Sequence, residues 1–256
     1  MLSDGYARVF TTSWSCTEIY SCSTATMDSR HGIFNSMIGQ GWTLFAASGD
    51  RGASDDCNFE SPAHTSVAYP GSDPDVISAG GTTLYLFSNG TYNTEVAWQG
   101  GTYTGACKAN NGGSGGGCST YYAAPGWQTN QPCGSGSRAV PDLSLNANFS
   151  QNYYYNGALS GFGGTSMVAP ELAGFAAQEN AYLLSLGNIC GVSVGTNPCA
   201  PMGDIHGFLY YEGINAPYSP HYPFYDITSG CNSNDITALD GLGYYCAGTG
   251  WDAVTG

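Results

Sequence analysis

Apolar residues fall along the first half of the chain in runs of two different spacings. Residues 7–14, ARVFTTSW, have the short, mostly apolar and β-branched character of a buried strand, and they enter a loop at Ser15 and Cys16. From 26 to 40 the spacing becomes helical, through Met27, Ile33, Phe34, Met37 and Ile38, with Gly39 and Gly41 closing the segment. Residues 42–48, WTLFAAS, form a second apolar strand that runs into Gly49-Asp50-Arg51-Gly52. Strand, helix and strand in that order predict a right-handed crossover and a parallel sheet. Another strand is expected over 75–86, broken at Gly80-Gly81.

Beyond that point the pattern loosens. Residues 99–137 are rich in Gly, Asn and Ser, yet Tyr121, Tyr122 and Trp127 give the stretch something to bury, so it reads as long loops or hairpins. The clearest helix covers 166–186. Pro170 is placed in its first turn, where proline is tolerated. Small side chains on all its faces imply burial and a close approach to the sheet. Residues 187–256 read as loop-rich. No repeat or domain boundary interrupts the pattern, and 1–256 is expected to be a single domain.

Charge changes the picture by exclusion. Five basic residues stand against 19 acidic ones, a net charge of −14, and Lys108 is the single lysine. There is no basic footprint for nucleic acid and no polybasic patch for anionic lipid. No apolar run approaches the roughly 18 residues of a membrane span. Charged residues make up only 9% of the chain, so the surface is mostly neutral and polar. Such a surface changes its charge little as pH falls and suits acidic surroundings.

Ten cysteines point to an oxidising, extracellular compartment. No C-x-x-C pair occurs, which argues against zinc ribbons and thioredoxin-like motifs. Cys16/Cys22, Cys107/Cys118, Cys190/Cys199 and Cys231/Cys246 are close enough in sequence for loop staples, with buried free thiols as the alternative. A secretion signal is not apparent. Met1-Leu2-Ser3-Asp4 has neither a basic start nor an apolar stretch, so the sequence reads as beginning inside a domain.

The candidate chemistry starts at Gly161-Phe162-Gly163-Gly164-Thr165-Ser166-Met167-Val168-Ala169-Pro170. A serine at a glycine-rich turn opening a buried helix exposes its hydroxyl beside free backbone N–H groups, which can hold a developing oxyanion. By position alone Ser166 reads equally as an N-cap. The whole string, G-T-S-M-x-A-P at a helix start, resembles the nucleophile signature of subtilisin-like serine peptidases. Subtilisins also need a histidine in an H-G-T-H-type motif, and none of His31, His64, His206 and His221 lies in one.

Where the subtilisins carry an oxyanion-hole asparagine, this chain has Ser48-Gly49-Asp50-Arg51-Gly52. That turn resembles the sedolisins, the serine-carboxyl peptidases, in which an aspartic acid takes the asparagine's place. A carboxylate would repel an oxyanion, so the resemblance implies that Asp50 acts protonated, as a donor. The bare alternative is a turn-forming Asp beside glycines. Further segments are similar to the same family in family order: Ser13-Trp14 through Glu18, Val76 through Thr82, Gly115 through Ser119 with Pro125 through Gln128, and Arg138 through Ser144. The family's fold implies a subtilisin-like three-layer α/β architecture with a mostly parallel central sheet.

Asp226-Ile227-Thr228-Ser229-Gly230 and Gly248-Thr249-Gly250-Trp251-Asp252 make an all-oxygen set suited to a hard cation, or simply a pair of turns. The resemblance implies one structural calcium ion held by the Asp226 and Asp252 side chains and by the carbonyls of Ile227, Gly248 and Gly250. A Cys231–Cys246 disulfide would close the loop between the two halves. The sedolisin mechanism also needs a Glu base and a supporting Asp on one helix N-terminal to the S-W-G-x-x-E segment. Glu18 matches the loop glutamate of that segment rather than the base. The chain is therefore expected to be the larger, C-terminal part of a peptidase domain, about two-thirds of it, lacking the N-terminal strands and helix and weak or inactive alone. The expected whole is a secreted, acid-acting, monomeric endopeptidase for polypeptide substrates, made with an upstream pro-domain. A His-based subtilisin and a non-catalytic, calcium-stabilised extracellular relative are the alternatives.

Overall fold

The computed structural model describes residues 6–54, 65–99, 112–129, 133, 136–148, 151–185, 202–215, 224–232 and 245–256. The first crossover forms as its pattern predicts. Strand β1 (Val9–Thr12) is followed by β2 (Cys16–Thr17), helix α1 (Thr24–Ile38) and β3 (Thr43–Ala47). Helix α1 starts two residues earlier than its apolar spacing, because Ser23 caps it and its hydroxyl accepts from the Thr26 N–H. Strands β1 and β3 are parallel, with Val9 opposite Thr43 and Thr12 opposite Ala46.

After β4 (Ala68–Tyr69), β5 (Ile77–Leu86) runs parallel to β3, with Phe45 opposite Ile77. Its second half pairs antiparallel with β6 (Tyr92–Ala97). Strands β7 (Gly117–Ala123) and β8 (Ser137–Val140) pair antiparallel, and β9 (Leu143–Asn146) returns parallel to β5 on its other edge. A hairpin of β10 (Gln151–Tyr155) and β11 (Ala158–Phe162) leads into α2 (Thr165–Ser185), and α3 (His206–Asn215) follows.

Alternation along β3 builds the three layers. Leu44 and Ala46 join Met37, Trp42 and Val76 on the α1 side. Phe45 and Ala47 join Ile77, Ala79, Val168, Ala169, Leu172 and Ala176 on the α2 side. This is the subtilisin-like architecture expected, with helices on both faces of a mostly parallel sheet.

Four expectations change. Gly80 and Gly81 do not break β5, because they are glycines for closeness: a Cβ on Gly80 would sit 2.4 Å from Ser144 Oγ, and one on Gly81 2.6 Å from Ala147 Cβ. Helix α2 is not buried all round. It buries Val168, Ala169, Leu172, Ala176 and Asn180 along one face and exposes Phe175, Tyr182 and Leu184. The loop-rich tail contains α3. Finally, Cys118 pairs with Cys133 rather than Cys107, since Cys133 lies just ahead of β8, whose pairing with β7 leaves the two Cα atoms 5.7 Å apart. Cys16–Cys22 and Cys231–Cys246 form. Cys190 and Cys199 lie outside the described residues.

Helix α3 is tied to the sheet by a buried polar cluster. Arg138 grips Asp142 with two bonds, of 2.8 and 2.6 Å, and the Tyr210 hydroxyl donates to Asp142 Oδ1 at 2.8 Å. His206, stacked on Trp127, is fully buried. Its Nδ1 meets Asp204 Oδ1 at 2.6 Å, and its Nε2 meets the Val76 carbonyl at 3.3 Å and Asp142 Oδ2 at 3.5 Å. Both ring nitrogens face oxygens that only accept, which holds the ring as an imidazolium. Burial opposes this, but Asp142 and the bond from Asp204 outweigh it and raise the pKa above 6.5, against a small contrary push from Arg138. Arg138 and His206 hold the Asp142 carboxyl well below the usual carboxylate range despite its burial.

A histidine whose pKa rises on folding contributes stability that is complete below about 6.5 and is lost as pH climbs through the folded value. Asp142, lowered, gives stability that is lost only far into acid. Thermal melts should therefore show a chain more stable at pH 5 than at pH 9, with a slope of up to about 1.4 kcal/mol per pH unit from this one ring. His206→Gln should lower Tm much more at pH 5 than at pH 9. Equal losses at both would show that the ring is not charged in the fold.

Candidate active site

Strand β3 ends at Ala47, and the turn after it carries Asp50 to the start of α2. The contact there is short and directional. The Thr165 main-chain N–H donates to Asp50 Oδ1 at 2.8 Å, and the Thr165 hydroxyl lies 2.8 Å from the same oxygen. That hydroxyl also accepts the Gly49 N–H at 3.2 Å and lies 3.1 Å from the Gly49 carbonyl. Thr165 itself is fully buried. Gly164 has φ +94°, and a Cβ there would meet Asp50 Oδ2 at 2.5 Å, so the residue is a glycine for both conformation and space. Ser166 follows at the helix N-terminus. Ser13, Ser15, Gly49, Asp50, Arg51, Thr165 and Ser166 line one open cleft.

A second glycine segment, 112–117, holds the Asp50 turn from behind. Gly113 N–H donates to the Asp50 carbonyl at 3.0 Å and Gly115 N–H to the Gly49 carbonyl at 2.8 Å. The backbone passes so tightly that a Cβ on Gly115 would fall 2.0 Å from the Ser48 carbonyl oxygen, and one on Gly116 2.0 Å from that of Ala253.

Pro170 is the sixth residue of α2, one position further in than expected and so beyond the first turn, because the helix begins at Thr165. Its missing N–H leaves the Ser166 carbonyl without its helical partner. The Ser13 hydroxyl takes that place, donating to the Ser166 carbonyl at 2.9 Å. The loop after β1 is thereby pinned to the nucleophile candidate.

Burial pushes the Asp50 carboxyl above its ordinary range, while the two Thr165 bonds and the Arg51 charge pull the other way. Among the described residues no carboxylate or imidazole is hydrogen bonded to the Ser166 hydroxyl. His31 lies on α1 against Asp73 at 2.9 Å, and His206 lies in the α3 cluster. His64 and His221 are outside the described residues. Glu18, fully buried, accepts from Ser119 Oγ at 2.6 Å and Thr120 N–H at 2.7 Å, and so has a structural role.

The C-terminal candidates converge on one turn. Gly250 N–H donates to both Asp226 oxygens, at 3.1 and 3.2 Å, and Gly248 N–H donates to Asp252 Oδ2 at 3.0 Å. Asp252 Oδ1 also accepts from the Val254 and Thr255 N–H groups. Burial raises the Asp252 carboxyl, against these bonds. Cys231–Cys246 ties the two arms together. No donor among the described residues takes the carbonyl oxygens of Ile227, Gly248 or Gly250.

The Subtilase family matches residues 2–185. Sedolisin from Pseudomonas sp. (strain 101) is 33% identical over 264 residues, covering 100% of this chain and 39% of that protein. Kumamolisin from Bacillus sp. (strain MN-32) is 33% identical over 226 residues, covering 84% of this chain and 34% of its own. A solved structure of Pseudomonas sedolisin, a serine-carboxyl proteinase complexed with two molecules of pseudo-iodotyrostatin, matches with TM-score 0.78 and 30% identity, over 100% of this chain and 63% of that one. The chain belongs to the subtilase family, on its sedolisin branch. It spans 39% and 34% of the two curated relatives named.

For this sedolisin-branch chain the sequence pointed to Ser166 and Asp50, and the fold brings them to one cleft. Thr165 and Ser13 were overlooked. Thr165 lies inside the string that drew attention to Ser166. Ser13 had one signal, a proline four residues after a serine in a helix, which leaves a carbonyl in need of a donor.

The glycine contacts make a paired test. Gly115→Ala should destabilise the chain by ~1–3 kcal/mol in urea melts, as overpacking does. Gly174→Ala, in mid-α2 with nothing within 4 Å of the new methyl, should stabilise it by ~1 kcal/mol. The reverse order would show that the 112–117 segment is not wedged as described.

Proposed function

We propose that the chain carries the nucleophile and oxyanion side of an acid-acting serine-carboxyl endopeptidase. One observation supports this above the others: the Asp50 carboxyl, buried enough to favour its proton, is held against the residue that precedes a helix-N-terminal serine. In this reading the Ser166 oxygen bonds to a substrate peptide carbonyl carbon, and the carbonyl π pair moves to its oxygen. Protonated Asp50 donates a hydrogen bond to that oxyanion, next to the Ser166 N–H at the helix start. The hydroxyl proton passes to a base, and then to the leaving amine. Acid is needed because Asp50 helps only as a donor.

The described residues offer Ser166 no base, so the 256-residue chain taken by itself should turn over slowly. The sedolisin branch and the disulfides support secretion, and among the described residues no helix is long and apolar enough to cross a membrane. Unfolded polypeptide is the substrate class that an open cleft suits. An upstream pro-domain and a monomeric state belong to the same reading.

Hydrolysis of an acid-denatured protein at about pH 4 is the test. Whatever turnover the chain shows should fall by several orders of magnitude in Ser166→Ala, as loss of a covalent nucleophile does. Asp50→Asn, a permanent donor, should retain activity and lose its dependence on acid. Unchanged activity in Ser166→Ala overturns the reading. Loss on changing a histidine instead would indicate a His-based subtilisin mechanism.

The C-terminal set fits calcium. Two carboxylates and three carbonyl oxygens, none of the three taken by a described donor, offer an all-oxygen donor set of the kind a hard cation takes. Asp226, Ile227, Gly248, Gly250 and Asp252 would hold the ion, which would neutralise Asp252 and fasten the tail without entering the reaction. Calcium at a hundred times its Kd should raise stability by about 2.7 kcal/mol by mass action. Melting with and without a chelator measures this. An identical midpoint, with no calcium in elemental analysis, removes the site.

A further inference from the structure

The cleft leaves one question that the roles of Ser166 and Asp50 do not answer, namely which carboxyl oxygen of Asp50 carries the proton. A protonated carboxyl has one oxygen that donates and one that only accepts, and a donor serves an oxyanion only if the right oxygen faces it. We infer that Thr165 is a positioning residue for Asp50: its main-chain N–H and hydroxyl fix Oδ1 as the accepting oxygen, so the proton rides on Oδ2, over Gly164. This rests on the reading of Asp50 as a protonated donor.

The main-chain N–H carries most of the argument. It belongs to the first residue of α2, cannot turn, and lies 2.8 Å from Oδ1. A proton on Oδ1 would meet it head-on. The hydroxyl adds a second contact to the same oxygen, again at 2.8 Å. Its one hydrogen is shared between Asp50 Oδ1 and the Gly49 carbonyl, 3.1 Å away, while its lone pair takes the Gly49 N–H at 3.2 Å. Thr165 is therefore oriented by the very turn that carries Asp50, and it is fully buried, so water does not compete for these bonds.

Oδ2 is left differently. Its neighbour is Gly164, where even a methyl group would come within 2.5 Å. No hydrogen-bond donor among the described residues is directed at it. The two oxygens are thus sorted by the fold: Oδ1 takes both Thr165 donors, and Oδ2, beside Gly164, takes none. The Thr165 bonds also limit how far burial can raise the pKa, with Arg51, on the same turn, helping; among the described residues no other charged group acts on the carboxyl. Thr165 therefore does two things. It aims the proton, and it sets the pH at which the proton leaves.

The experiment titrates Asp50 directly. Carboxyl-labelled aspartate in the full chain is followed by carbon NMR, with Asp50→Asn assigning the signal, in wild type, Thr165→Val and Thr165→Ser. Valine removes the hydroxyl donor that favours the ionised form, so the Asp50 midpoint should rise by about one pH unit, a tenfold fall in its acid dissociation constant. Serine restores the donor and should return the wild-type midpoint. The alkaline limb of the hydrolysis profile should move up with the valine midpoint while kcat falls, a shift that a merely structural threonine would not cause. An unmoved midpoint in Thr165→Val, or serine behaving like valine, overturns the inference. If the valine chain does not fold, the infrared carbonyl band of protonated Asp50 in wild type decides. Two hydrogen bonds to Oδ1 place it at low frequency, and the frequency of a free acid carbonyl overturns the inference. The function proposed above fails separately, through an Asp50→Asn chain whose profile keeps its alkaline limb.

Discussion

Everything in the cleft depends on how closely the first turn of α2 approaches the end of β3. The approach is driven by burial of Val168, Ala169, Leu172 and Ala176 on Phe45, Ala47, Ile77 and Ala79. It is permitted by the absence of side chains at Gly164 and Gly115, where any Cβ would collide with Asp50 or with the Ser48 carbonyl. Apolar packing supplies the force and glycine supplies the distance. The hydrogen bonds between Thr165 and Asp50 are what remains possible once the strand end and the helix start are that near.

A similar division of labour holds away from the cleft. Gly80 and Gly81 admit β9 and its flanking residues against β5, and the same approach delivers Asp142 to Arg138 and His206. A buried ion pair of this kind costs desolvation, and its partners must be complete to offset it. Here Ser78 N–H, Tyr210 and Arg138 all converge on one carboxylate. The imidazolium beside it ties the stability of α3 to acid conditions, the same conditions in which Asp50 holds its proton. Scaffold and cleft are thus biased in the same direction by separate groups.

Several family-like segments turn out to be scaffold rather than chemistry. Glu18 satisfies Ser119 and Thr120, Gln128 receives the Ala139 N–H, and the 115–117 glycines make room for neighbouring backbone. Of these, Gly115 lies against the end of β3, where it helps to fix the turn that carries Asp50.

The sequence by itself determined the local periodicities and the chemistry-bearing string. The crossover of β1, α1 and β3, the start of α2 and two of the disulfides were all legible, because each rests on spacing within a few residues; Ser166 and Asp50, picked out by strings too long to be generic, line one cleft. Tertiary structure decided the rest. Pairing of β7 with β8 selected Cys133 over Cys107 as the partner of Cys118, a choice between loops that sequence separation does not make. Helix α3 packs Leu209 on the core and is held by a buried ion cluster assembled from β8, the residue after Pro141 and the loop before the helix, a set of partners that sequence separation does not reveal. The roles of Ser13 and Thr165 appear only when residues more than a hundred positions apart meet, since a hydroxyl acquires a function from the carbonyl or carboxylate that the fold sets against it.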